Sequence, residues 1–279
     1  MYNLLPNGDL ERKGLIMAPP IVAIANQKGG VGKTTTTINL AGVYAEGGKK
    51  VLAVDIDPQG NLSVGFGFDI YNPNKTIYEA LIEEKGNRQA IKDVIVPVRP
   101  LIDLVPANID LALAEMELVT EYGREYILKG QLDSIKAGYD IILIDCPPSL
   151  GILTINAFVA ATHVLIPASC EYYSLHGVNL ILERSISKIR RQLNPSLVVL
   201  GIVPTKYDRR TKHSQEALTQ MRESMNGIIK VFDTVISDSV KLKETPAYNQ
   251  TIVEMAPDHR SASEYRILGK EIMDELAKS

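Results

Sequence analysis

The chain has 279 residues, 45% of them hydrophobic, and its 30 Lys and Arg stand against 33 Asp and Glu for a formal charge of −3. That length suffices for one sizeable buried core, and the mildly acidic balance excludes a wholesale polyanion binder, so any nucleic-acid contact must come from a local basic patch. No apolar run approaches the roughly 18 residues of a membrane span, no signal-peptide core opens the chain, and the two cysteines, Cys146 and Cys170, lie far apart without metal-ligand spacing and read as reduced cytoplasmic thiols.

Residues 1–17 read as a polar N-terminal extension and residues 18–279 as a single domain. Short apolar runs alternate with helical patterns, which predicts βαβ units: an α/β fold with a mostly parallel, twisted sheet flanked by helices. Strands are predicted over 21–26, 51–55, 101–106, 139–145, 163–167, 198–204 and 231–235. Several are apolar throughout, as strands covered on both faces are. Helices are predicted over 33–45, 110–119, 124–137, 151–160, 177–193, 214–225, 240–245 and 261–278, the first ended by Gly47-Gly48. The stretch 65–100 has no regular period.

Three motifs carry chemistry. The first, Gln27-Lys28-Gly29-Gly30-Val31-Gly32-Lys33-Thr34-Thr35, follows the apolar run 21–25 directly. A Gly-rich turn between a buried strand and a helix aims several backbone N–H groups at one spot, and the helix N-terminus adds partial positive charge, so the spot binds phosphate. Lys33 reaches the β- and γ-phosphates of ATP and the Thr34 hydroxyl holds Mg²⁺. Gln27 stands where the common pattern has its first Gly. Lys28 sits where most P-loops carry a neutral residue, and a second lysine from one loop makes sense if it reaches a nucleotide held by another subunit.

The second motif, Val54-Asp55-Ile56-Asp57-Pro58-Gln59-Gly60, ends the next strand. Carboxylates there point into the crevice outside the strand C-termini, where open α/β sheets bind ligands. Asp57 is expected to orient the attacking water or help hold the metal, with Asp55 assisting. In the third, Ile141-Ile142-Leu143-Ile144-Asp145-Cys146-Pro147-Pro148-Ser149, a buried strand delivers Asp145 to Mg²⁺. A buried Asp without a cation or hydrogen-bond donors would be costly. Cys146 reads as a small core residue.

With Lys28 to Thr35, Asp55 to Gly60 and Asp145 to Ser149 on view, the sequence resembles the ParA/Soj ATPases that segregate chromosomes and plasmids, members of the deviant P-loop NTPases. The likeness continues through Glu171-Tyr172-Tyr173-Ser174-Leu175-His176-Gly177 and Glu244-Thr245-Pro246, so that it spans about residues 18–279. The resemblance implies two subunits brought face to face by ATP, with Lys28 crossing to the partner's nucleotide. It also implies Lys33 and Thr34 on phosphate and Mg²⁺, Asp57 near the hydrolytic water and Asp145 in the metal shell. The implied ATP dimer binds double-stranded DNA without sequence preference, and a ParB-like centromere-binding protein releases it by stimulating hydrolysis. The implied location is cytoplasmic, on the nucleoid.

Candidate DNA contacts lie among Lys188, Arg190 and Arg191, among Arg209, Arg210 and Lys212, and at Lys241 and Lys243, represented by Arg191, Arg209 and Lys243. Such contacts give salt-dependent, sequence-independent affinity, doubled on a dimer. Lys206-Tyr207-Asp208 is expected near the adenine. The four histidines show no metal spacing. One rival reading is a MinD-like ATPase on a membrane, a type that usually ends in a basic amphipathic helix; the last helix here has Leu268, Ile272, Met273 and Leu276 on one side but carries Glu271, Asp274 and Glu275, a balance that fits packing on the protein body better than anionic lipid. A nitrogenase-iron-protein-like cluster carrier would need cysteines in other contexts. An ATPase positioning a different cargo on a protein scaffold would share every motif.

Overall fold

The computed structural model describes residues 18–73, 75–84, 87–171 and 174–278; the extension at 1–17 and the Tyr172-Tyr173 pair lie outside them. From the amino end the chain runs β1 (Ile21–Ile24), α1 (Lys33–Glu46), β2 (Val51–Asp55), α2 (Asn61–Gly65), α3 (Ile77–Leu81), the short hairpin β3 and β4 (Glu83–Glu84 and Asn87–Arg88), β5 (Val96–Arg99) and β6 (Ile102–Val105). It continues through α4 (Leu111–Glu117), α5 (Ile127–Asp133), β7 (Ile141–Asp145), α6 (Ile152–Ala160), β8 (His163–Ser169), α7 (Ser174–Leu180) and α8 (Ser187–Gln192). The last elements are β9 (Val198–Thr205), α9 (Lys212–Met225), α10 (Val240–Glu244), α11 (Ile252–Met255) and α12 (Arg260–Leu276).

Seven strands form the main sheet in the order β5-β6-β2-β7-β1-β8-β9, parallel throughout except for β5 against β6. From β1 the chain leaves to one side through β2, returns to insert β7 between β2 and β1, then passes to the other side through β8 and β9. The crevice of the fold therefore opens at the carboxyl ends of β1, β7 and β2.

Strand alternation sorts the core into two layers. Ile21, Ala23, Leu52, Val54, Ile142 and Ile144 face one layer; Val22, Ile24, Val51, Ala53, Ile141 and Leu143 face the other. These strands read as unbroken apolar runs because both faces are covered.

The structure differs from the sequence expectation at several places. The predicted strand 231–235 is a single bridge, Val231 to Ile202. There Ile202 N donates to Lys230 O at 2.8 Å and Phe232 N to Ile202 O at 2.9 Å. The apolar signal came from Phe232, which is buried in the core. Strand β5 went unread because Pro97 interrupts it, and an edge strand is where proline is tolerated. The predicted helix 124–137 is broken into a 3-10 turn at Arg124–Tyr126, α5 and a second turn at Lys136–Gly138. The helix predicted over 177–193 starts earlier and runs from α7 to α8 through a wide turn at Ile181–Ile186. Helix α3, in the unread stretch, carries a capping box in which Thr76 and Glu79 satisfy each other's end of the first turn.

Helix α12 turns its apolar side inward, burying Ala262, Tyr265, Leu268 and Ile272. Among the described residues no helix is long and apolar enough to cross a membrane. Contact between α12 and α1 is close at Gly269, where a Cβ would lie 2.9 Å from Val43 Cγ1 and 3.4 Å from the Tyr44 ring. Because α1 begins at the Gly-rich loop, this contact also braces the loop from behind. Gly269→Leu is expected to destabilise the fold by about 1–3 kcal/mol through overpacking. The check is the urea unfolding midpoint, and an unchanged midpoint would mean that the two helices part freely.

Candidate active site

Helix α1 begins at Lys33, and its N-cap, Gly32, has φ +91°, with Gly30 at φ +70°. Both angles lie in the left-handed region where an L side chain is strained, so the turn requires glycine at these two points. No side chain caps the helix, which leaves its first amides free to face an anion. Two polar side chains fix the loop. Asn26 donates to Pro167 O at 2.8 Å and accepts from Lys28 N at 3.0 Å. The Thr205 hydroxyl at the end of β9 donates to Val31 O at 2.8 Å. Lys33 is buried.

Three carboxylates meet this loop. Asp145 at the end of β7 is in register with Ile24 of β1 on one side and Asp55 of β2 on the other. Its Oδ2 accepts from the Thr34 hydroxyl at 2.6 Å, and its Oδ1 from the Thr37 hydroxyl at 3.4 Å. Burial, and then the charge of Asp55, push the Asp145 carboxyl well above the usual carboxylate range, against the Thr34 hydrogen bond and the charge of Lys33. Asp55 accepts from Asp57 N at 3.1 Å, from Ser63 N at 2.9 Å and from the Ser63 hydroxyl at 2.7 Å. Burial pushes its carboxyl up to about 7 in spite of these donors. The expected assistance of Asp55 to a metal thus takes another form: its oxygens hold the turn from which Asp57 projects. Asp57 is 8% exposed and accepts from Gln59 N at 3.0 Å.

Two wholly buried carboxyl groups in register, with a third close by and one buried ammonium among them, resist ionising together, and a hard cation would let them ionise. Among the described residues no group of three or more His, Cys, Asp and Glu can hold a metal by itself. A cation here would therefore share its coordination with a ligand's oxygens.

Lys28 lies at the outer side of the loop. Its ammonium is 3.4 Å from the hydroxyl of Ser169, which ends β8, and 2.5 Å from Oε2 of Glu171 just past it. The Lys28 hydrogen bond holds the Glu171 carboxyl below its ordinary range. Beside the loop opens a cavity of about 260 Å³ lined by Gly32, Thr35, Thr205, Lys206, Ser237 and Pro246, among others. Of the segment expected near the adenine, Lys206 lines this cavity and Tyr207 and Asp208 do not. Asp208 is instead gripped by Arg210 through two bonds of 3.0 Å.

The candidate DNA residues are not brought into one patch on the protomer. Arg191 borders a groove along Val198, Val199 and Leu200, at the amino end of β9. Arg209 follows the carboxyl end of the same strand, some 25 Å of extended chain away. Lys243 lines the cavity beside the loop and is paired with Asp238 at 2.8 Å. Cys146 and Cys170 are both buried, which leaves no thiol at the surface to hold a cluster between subunits. Asn26, Ser63, Thr205 and Glu171 had been given no role from the sequence. Three of them sit within two residues of a strand's carboxyl end, and that position was the available signal.

A family model described as an AAA domain matches residues 20–199. The chain is 42% identical over 252 residues to the sporulation initiation inhibitor protein Soj of Bacillus subtilis, covering 90% of this chain and 97% of that protein. It is 41% identical over 256 residues to the chromosome partitioning protein ParA of Myxococcus xanthus, covering 91% and 87%. Among solved structures, a cobyrinic acid a,c-diamide synthase from Mycobacterium smegmatis with bound ATP analog and magnesium is similar with a TM-score of 0.79 and 35% identity, covering 90% of this chain and 93% of that one. The Gly-rich loop, the strand-end aspartates and this likeness over nine-tenths of the chain place the protein by sequence and by fold: it belongs to the ParA/Soj family of P-loop ATPases.

Proposed function

We propose that the protein is a Mg²⁺-dependent partitioning ATPase whose ATP-bound form is a dimer that binds DNA without sequence preference. Partner-stimulated hydrolysis releases that dimer, and the protein works in the cytoplasm on the nucleoid. The observation that carries the reading is the convergence of Lys33, Thr34, Asp145 and Asp57 at the carboxyl ends of three adjacent strands.

The oxygen donors fit magnesium. A hydroxyl and one or two carboxylates, completed by phosphate oxygens and water, are the set this ion takes in nucleotide sites. Thr34, Asp145 and Asp57 would hold it, and when bound it supplies neutralisation of charge on the β- and γ-phosphates. The loop amides and Lys33 bind and orient the phosphates. Asp145 fixes the Thr34 hydroxyl through their 2.6 Å bond. Asp57, set by the Asp55 and Ser63 turn, orients the attacking water.

Lys28 supplies the link to assembly. Its ion pair with Glu171 is half exposed, the two side chains being 34% and 51% accessible. Pairs of this kind contribute about 0–1 kcal/mol. An adjacent protomer's triphosphate carries more negative charge than one carboxylate and would meet the amine in a closed interface with less water, so it draws the amine off Glu171. Loss of the γ-phosphate reverses the balance, and hydrolysis becomes a timer for attachment. Arg209 and Lys243 lie at the loop end of the sheet, where face-to-face dimerisation would gather two copies of each. A ParB-like centromere-binding protein is the partner that this cycle calls for. The buried apolar side of α12 favours this reading over a membrane-cycling one.

Lys28→Ala is expected to abolish ATP-dependent dimerisation or hydrolysis, seen by light scattering and phosphate release; unaffected turnover would remove the crossing role. Asp57→Ala is expected to keep ATP binding and the dimer while slowing hydrolysis at least about 100-fold, and failure to bind nucleotide would reassign the residue. In gel shifts on random DNA, retention is expected with ATP and lost with ADP. Glu substitution at Arg209 and Lys243 should flatten the salt dependence by about one unit per lost phosphate contact, and equal retention by the charge-reversed protein would exclude this surface.

A further inference from the structure

Lys206 is the residue that the motifs leave unexplained. It follows Thr205, the loop clamp, and its backbone adopts φ +52°. Asn249, at φ +53°, is the other non-glycine residue of positive φ among those described, and asparagine tolerates this region through local hydrogen bonding. Lysine has no such excuse, and strain of this kind persists where the surroundings over-determine it, commonly at functional sites. The consequence here is the placement of the side chain. Lys206 lines the cavity beside Gly32 and Thr35, and its ammonium lies 3.9 Å from where a Cβ on Gly30 would stand. It thus extends from the cavity to the Gly-rich turn at Gly30.

We propose that Lys206 is a third amine of the nucleotide site, donated within the protomer, which binds the distal phosphates of a nucleoside triphosphate. The proposal rests on the ATPase reading above. The three lysines stand at different depths. Lys33 is buried at the start of α1. Lys28 is held by Glu171. Lys206 is exposed at the rim. A ligand with its base in the cavity beside Gly32 and its phosphates along the loop reaches Gly30 with its outermost phosphates, so an amine there senses the triphosphate more than the diphosphate. Lys206 also acts electrostatically on Glu171, adding to the effect of Lys28. When Lys28 leaves for a second protomer, Lys206 remains to offset that carboxylate.

The test is isothermal titration of the full chain, with magnesium, using the non-hydrolysable analogue AMPPNP and, separately, ADP. Lys206→Met is expected to weaken AMPPNP binding about tenfold, as loss of one charge-assisted contact does, and ADP binding less than about threefold by the same scale. Lys206→Arg restores the preference. Lys206→Gly, free of the left-handed strain, loses the same preference while melting at or above the wild-type temperature, which separates the amine from the backbone. Equal losses for the two nucleotides, or none, overturn the proposal. A Lys33→Ala chain that binds AMPPNP as well as the wild type does overturns the ATPase reading and this role with it.

Discussion

The site depends on one constraint: two carboxylates, Asp55 and Asp145, are buried in register at the ends of neighbouring parallel strands. Like charges so placed are tolerated only if each is saturated with donors or neutralised. Asp145 takes the hydroxyl of Thr34 from the first turn of α1, with the Thr37 hydroxyl 3.4 Å away and shared with Lys33 O. Asp55 takes the amides of Asp57 and Ser63 and the Ser63 hydroxyl. Those bonds set the Gly-rich loop, the helix start and the Asp57 turn relative to one another. The same unfavourable charge makes the site receptive to a cation arriving with phosphates.

Around that fixed centre the amines are graded by burial. Lys33 is buried and close enough to lower the charge cost of Asp145. Lys28 is half exposed and held by a single carboxylate. Lys206 stands on a strained backbone at the rim. The electrostatics of a phosphate site normally favour permanent neutralisation. Here one amine is held by a contact weak enough to exchange, which is what the proposed nucleotide-dependent assembly needs: the free-energy difference between states must come from the γ-phosphate and not from a rigid internal pair.

Much of this was legible in the residues. A strand, a Gly-rich turn and a Lys-Thr helix start read as a phosphate site because few other demands produce them, and runs such as Ile141 to Ile144 read as strands covered on both sides. The strand-end rule located Asp57 and Asp145 without a structure. What escaped was whatever depends on a neighbour distant in sequence. Pro97 concealed an edge strand whose position excuses it. Phe232 imitated a strand although it buries from a single bridge. Asp55 was read as assisting a metal, and its bonds to Ser63, eight positions later, were not legible.

The sequence by itself determined the alternation of strands and helices, the loop's need for glycine at Gly30 and Gly32, and the residue types able to handle phosphate and magnesium, because these follow from local geometry and side-chain chemistry. Tertiary structure decided which strand ends meet, that Lys28 rests on Glu171, that Lys206 reaches the loop, and that Arg191 stands far from Arg209. Those facts depend on the insertion of β7 between β1 and β2 and on the placement of β8 and β9 beyond them. Strand order is a property of the whole chain's packing, and no short window of residues encodes it.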